Sequence, residues 1–331
     1  MKSTPRRRLL VRAMIAIALL VVATCAQAAN TYEGGRSVYT ALREQPRITL
    51  EVGGGRINVV FADNADGLDR ERALQWIRRS AEAVSIYFGR FPVKEIGVLV
   101  VTRPGDRVVT GTTFGYGSSA IRMLVGRDCT DAAYADDWVL VHEMTHLALP
   151  ELPSRNAWLM EGNATYVEPI ARAQAGQLDR ESVWRWSLRG MPKGLPVHGD
   201  LGLDNTPTWG RKYWGGAIFW LLVDVRLREA TKNRIGAQDA LRAINRRSSG
   251  NTSDWSADEL MAAGDAATKT TVMSDLYAQM RDDPMPVDLG ALFEQLGISE
   301  SKGKIRFDDN APLAAVRRSI TAVPNSNDIG G

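Results

Sequence analysis

Two of the three histidines in this 331-residue chain stand four residues apart, in His142-Glu143-Met144-Thr145-His146, and no other feature limits the fold as much. The residues around them, from Thr130 until Pro150, read as one helix. Side chains at i and i+4 of a helix lie one above the other, so both imidazoles can reach one Zn²⁺ at about 2.0 to 2.1 Å, with Glu143 beside them to handle the proton of a water. A five-residue pattern with three fixed positions also arises by chance in ordinary helices, so a third ligand has to decide between the two readings.

Twelve residues after His146 begins Trp158-Leu159-Met160-Glu161-Gly162-Asn163-Ala164-Thr165-Tyr166, at the front of the next predicted helix and beyond a turn that holds Pro150 and Pro153. A helix hairpin brings Glu161 back to the first helix. Two histidines and one carboxylate leave the fourth tetrahedral position open, as catalytic rather than structural zinc requires. The sequence therefore predicts one Zn²⁺ per chain on His142, His146 and Glu161, with Glu143 as general base. Thr165, one turn after Glu161, is a candidate for orienting the histidines.

These residues resemble the gluzincin metallopeptidases, which carry HExxH on one helix and a glutamate ligand on the next. The WLMEGNATY stretch is similar to the WLxEGxAxY wording of the aminopeptidase branch. The run from Tyr213 to Arg226 looks like the Tyr-x-x-Gly…Leu-Asp-x-x-Ile-Arg helix of the glycyl aminopeptidase family, so the resemblance spans residues 96 to about 250. It implies a thermolysin-like α+β fold and a hydrolase that cleaves peptides or proteins through a polarised water, with Tyr213 hydrogen-bonding the oxyanion. His198, on the loop between residues 190 and 208, is an alternative donor. Those aminopeptidases grip the substrate's amine with a carboxylate on a Gly-x-x-Glu-type strand before the zinc helix. The corresponding stretch, Gly115 to Arg122, contains no acid, so the resemblance implies hydrolysis without settling exo- against endopeptidase specificity. Two other readings stay open: a non-catalytic envelope or partner-binding protein that keeps the fold, and a zinc hydrolase of a non-peptide amide or ester.

The remaining elements read as a small mixed β-sheet in front of a mainly helical C-terminal half. Alternating residues at 47–61 predict a hairpin, apolar positions from Leu74 to Phe88 predict a helix, and 96–101 predicts a buried strand. The glycine-rich stretch 111–117 leads into a predicted strand at 120–125, taken as the edge along which an extended peptide could add. After Pro153 nearly everything reads as helix, and the tryptophans at 184, 186, 209, 214, 220 and 255 read as core. The expected divisions are a signal peptide at 1–28, a β-rich part at 29–125, a helical part carrying the zinc site at 126–320, and a disordered tail at 321–331.

Residues 1–28 carry five of the 41 basic residues and no acid, then an apolar run from Ala13 to Val22 and Ala26-Gln27-Ala28. That is the order of a cleaved secretory signal, predicting a periplasmic or secreted protein with no stable membrane insertion after cleavage. An uncleaved anchor, or lipoprotein attachment at Cys25, is an alternative. Beyond the leader 36 basic residues face 38 acidic ones, which removes the charge argument for a nucleic-acid partner. Cleavage also leaves Cys129 alone, so no internal disulfide can form. A lone cysteine here reads as a small buried hydrophobe or as a reactive thiol.

Overall fold

The computed structural model describes residues 32–324. The leader at 1–28 lies outside them, as does the tail from residue 325 onward. Helix α1 (Gly35–Glu44) precedes the hairpin of β1 (Arg47–Val52) and β2 (Gly55–Phe61), whose turn glycines, Gly53 and Gly54, take the left-handed φ values of 55° and 79° that a tight hairpin needs. Helix α2 (Arg70–Phe88) starts where Asp69 accepts from the Arg72 amide and stops at left-handed Gly89. It carries the chain across to β3 (Glu95–Arg103), parallel to β2.

Strands β4 (Val108–Phe114) and β5 (Ser119–Gly126) complete a mixed sheet in the order β1-β2-β3-β5-β4. This corrects the sequence reading of the cleft edge. Residues 120–125 belong to an interior strand, parallel to β3, antiparallel to β4 and buried along its whole length. The edge is β4, within and before the stretch read as glycine-rich. Its central Thr110-Gly111-Thr112-Thr113 carries no large apolar side chain, so the alternation that marks a half-buried strand is missing.

Both faces of the sheet are covered. Val98 and Val100 of β3 and Ile121 and Met123 of β5 pack into the main core with α2, while Leu99, Val101, Ala120 and Leu124 face Val38 and Ala41 of α1. Strands buried on both sides read as continuous apolar runs, which is why β3 and β5 are plain in the sequence.

The helical half contains α3 (Asp131–Asp136), α4 (Val139–His146), α5 (Ala157–Gln174), α6 (Arg180–Gly190), α7 (Gly216–Ala230), α8 (Ala237–Ser248), α9 (Ala257–Thr268), α10 (Val272–Met280) and α11 (Leu289–Gln295). Two features differ from the sequence reading. The helix expected from Thr130 to Leu149 is broken at Asp137, which is extended (ψ 130°) and whose carboxylate accepts from the Val139 and Leu140 amides and from the Trp76 indole. A carboxylate that can reach the amides of a new first turn competes with helix continuation, so α4 starts afresh. Beyond α11 the chain forms a short antiparallel pair, β6 (Ile298–Ser301) and β7 (Lys304–Phe307), before α12 (Ala314–Ile320).

Helices α5 and α7 cross at Gly162 and Gly216. A Cβ on Gly216 would lie 2.1 Å from the Trp158 carbonyl oxygen and 2.7 Å from the Gly162 Cα, so the two backbones touch. Around this crossing the Trp220 indole donates to the Leu159 carbonyl (2.9 Å), and buried Asp224 accepts from Tyr166 Oη (2.8 Å) and Arg228 Nε (2.7 Å). The Asp-x-x-x-Arg pair of the α7 sequence thus acts in the scaffold, fixing α7 against α5.

Candidate metal centre

Helix α4 buries Leu140, Val141 and Met144 against the sheet and turns His142 and His146 the other way, one above the other with ring centroids 5.0 Å apart. The turn through Pro150 and Pro153, ending in a 3₁₀ turn at Ser154–Asn156, reverses the chain into α5. There Glu161 sets Oε2 at 3.3 Å from His142 Nε2 and 3.5 Å from His146 Nε2. The ligand atoms of all three residues lie within 4.8 Å of one another.

Glu143 points to β4. Its Oε2 accepts from Thr113 Oγ1 at 2.6 Å, and its Cγ lies where a Cβ on Gly111 would come within 2.4 Å. A cleft of about 530 Å³ joins Gly111, Thr112 and Thr113 to the two histidines, Glu143 and Glu161. Glu151 and Met160 add to its wall. Sequence reasoning missed Thr113 and Gly111 because both sit on the strand it did not identify. β4 carries no acid either, so no carboxylate faces the cleft from the edge strand.

Tyr213 enters from the far side on a π-helical turn, Arg211–Gly215, of the kind that often re-aims side chains at functional sites. Buried Arg211 anchors this turn through Asp200 (2.8 Å) and the Gly194 carbonyl (2.6 Å), which ties the loop after α6 to the start of α7. The Tyr213 ring stacks at 6.2 Å from that of His142, and Trp209 stacks on Tyr213 at 5.8 Å. Trp138 meets the other edge of His142 at 5.6 Å and Trp186 at 6.3 Å. Trp184 and Trp220 are core, as expected, but Trp186 and Trp209 are 44% and 60% exposed and form this aromatic rim with Trp138. His198 is exposed and does not line the cleft, and Thr165 lies in a separate apolar pocket beside Trp184.

Charge in the site is set by a competition between burial and hydrogen bonding. Burial lowers His142 below the ordinary histidine value in spite of Glu161. At His146 burial pulls the same way, but the hydrogen bond and charge of Glu161, with the charge of Glu143, outweigh it and raise the group. Burial would raise Glu161, yet the hydrogen bonds and charges of both histidines hold it well below the usual carboxylate range. Burial first, then the charge and hydrogen bonding of Glu161, push the Tyr213 phenol up to about 12, so it keeps its proton and can donate.

This donor set fits a zinc ion. Two ligand atoms at 2.0 to 2.1 Å from a tetrahedral centre stand about 3.4 Å apart, and the two His–Glu161 separations, 3.3 and 3.5 Å, bracket that spacing. Two imidazoles and a carboxylate are also the ligand types that borderline-soft Zn²⁺ takes.

No protein-family model and no curated protein matches the chain. Among solved structures, an aminopeptidase N family protein from Idiomarina loihiensis is similar with a TM-score of 0.56 and 13% identity, over 77% of this chain and 49% of that one. A variant of an M1 zinc metallopeptidase from Deinococcus radiodurans gives a TM-score of 0.46 at 16% identity, over 73% and 53%, a likeness too loose to argue from. The chain thus spans about half the length of the solved proteins it resembles. The likeness is one of fold: the chain has an α+β, gluzincin-like architecture.

Proposed function

We propose that the chain is an exported, zinc-dependent metallopeptidase, with His142, His146 and Glu161 as ligands, Glu143 as general base and Tyr213 as oxyanion donor. The convergence of three ligand atoms within 4.8 Å, beside a carboxylate held by its own hydrogen bond, carries the reading. The basic, apolar and small-x-small order of residues 1–28 supports export.

When bound, zinc supplies Lewis-acid polarisation of a carbonyl and of the attacking water. Glu143, which lines the cleft and whose Oε2 is held by Thr113, takes the proton of the attacking water, then passes it to the leaving amine. Tyr213 donates to the carbonyl oxygen as negative charge builds there. Strand β4 borders the cleft and has no strand neighbour beyond it among the described residues, so an extended peptide can pair with its backbone. The aromatic rim of Trp138, Trp186 and Trp209 offers apolar contact to side chains flanking the scissile bond.

The test is metal content and peptide-library cleavage by the protein from residue 29 onward, beside His146→Ala and Glu143→Gln. One zinc per chain, lost in His146→Ala, and cleavage lowered by a factor on the order of 10² to 10⁴ in Glu143→Gln that keeps its zinc, are the expected results. A parent that takes up no zinc on dialysis against it ends the metallopeptidase reading. Zinc without peptide cleavage moves the assignment to a non-peptide amide or ester.

A further inference from the structure

A groove of about 730 Å³, larger than the metal cleft and sharing no lining residue with it, opens where the first residues of β3 and β5 meet the last turns of α1 and α8. Five cations line it: Arg43 from α1, Arg47 from β1, Arg90 and Lys94 from the connection between α2 and β3, and Arg246 from α8. Its one acid, Glu95, is already engaged by the Asn58 side-chain amide (2.6 Å) and by Arg56 (3.6 Å). Arg43 donates to Thr40 and Arg90 to the neutral Asn245 side chain, and none of the five cations forms an ion pair among the described residues.

Composition does not account for this concentration. Beyond residue 28 acids slightly outnumber bases, yet here five bases from four separate segments converge on one acid. Like charges gathered in a concave surface raise the local potential and hold counter-ions. Four of the five are guanidiniums, whose planar forks bind phosphate and carboxylate oxygens in pairs. The floor also holds apolar Leu42, Val93 and Ile96, and Ser249 and Thr252 supply hydroxyls. The volume falls in the range of sites for small organic ligands, about 300 to 1,000 Å³.

We propose that this groove is a second binding site, for a small molecule or headgroup carrying two or more phosphate groups. Phosphates match it better than carboxylates because several linked phosphates bring three or more negative charges within one compact span, whereas a dicarboxylate brings two. The site is independent of the metal centre and of the function proposed for it.

The probe is inorganic tripolyphosphate, titrated calorimetrically at 150 mM salt into the parent and into the triple variant Arg47→Gln, Lys94→Gln, Arg246→Gln. A second triple variant, Lys302→Gln, Lys304→Gln, Arg306→Gln, removes the same charge from an exposed hairpin elsewhere, and His146→Ala guards against binding through the metal. The expected result is saturable 1:1 binding by the parent, by the hairpin variant and by His146→Ala, weakened at least tenfold in the groove variant. Succinate, a dicarboxylate, should bind at least tenfold more weakly than tripolyphosphate. Vesicles of cardiolipin, whose headgroup carries two phosphates, in phosphatidylcholine identify the source: binding lost in the groove variant supports a lipid headgroup, and no vesicle binding beside retained tripolyphosphate binding supports a soluble phosphate. Absence of saturable binding by the parent, equal losses in both triple variants, or succinate binding as tightly as tripolyphosphate overturns the proposal.

Discussion

Thr113 Oγ1 stands 2.6 Å from Glu143 Oε2 and 2.9 Å from the Glu143 main-chain carbonyl oxygen. A hydroxyl has one proton, so it donates to one of these acceptors at a time, and the donation to the carboxylate fixes the rotamer of the proposed base. Hydrogen bonds to charged groups contribute about 1.5 to 3 kcal/mol. Thr113→Val should therefore keep full zinc occupancy and lower kcat by a factor of about 10 to 100, with Thr113→Ser recovering most of it. Steady-state kinetics beside elemental analysis checks this, and an unchanged kcat in Thr113→Val removes Thr113 from the site.

Gly111→Ala places a methyl group 2.4 Å from Glu143 Cγ and 2.9 Å from Met123 Sδ. Both obstacles are side chains that can move, so the fold should survive with a loss in the range of about 1 to 3 kcal/mol typical of overpacking. The displaced Glu143 leaves its bond to Thr113, and turnover should fall far more than stability does. Calorimetric unfolding together with turnover separates the two effects; wild-type turnover in Gly111→Ala contradicts the contact.

Burial pushes the Glu168 carboxyl up to about 7 against the pull of Arg172, 3.0 Å away. A carboxyl whose folded value exceeds its ordinary value of 4.5 holds its proton more tightly when folded. Its contribution to stability is greatest below pH 4.5 and is lost as pH rises to about 7. Urea unfolding at intervals across that window should show a decline that Glu168→Gln flattens. Identical slopes in parent and variant would contradict the assignment.

Cys129 is 4% exposed, and burial, with Asp137, Asp106 and Asp128 adding to it, raises its thiol to about 11. At pH 8 only about one thiol in a thousand is ionised, and the thiolate is the species that reacts. Iodoacetamide at pH 8 should leave the native protein unlabelled and modify Cys129 fully in guanidinium chloride, as mass spectrometry would read. Rapid labelling of the folded chain would restore the reactive-thiol reading.

The three residues whose donor atoms converge were legible as candidate ligands because a helix has a fixed repeat. His142 and His146 must share a face at i and i+4, and two prolines after them force the chain to turn back toward Glu161. The largely apolar strands β3 and β5 and the capped helix α2 were legible for the same kind of local reason. Edge strand β4 was not, since an edge next to a cleft buries little and its Thr and Gly residues carry no period.

The sequence by itself determined which residues could bind a metal, because helical periodicity and donor chemistry are properties of short stretches of chain. Only the tertiary structure decided what surrounds them. Thr113 reaches Glu143 from 30 residues away, and Tyr213 reaches His142 only because Gly162 and Gly216 let α5 and α7 touch. The basic groove draws its five cations from four segments that no local pattern connects. Contacts of that range depend on how sheet and helices pack, and packing depends on the shape of the whole core rather than on any repeat along the chain.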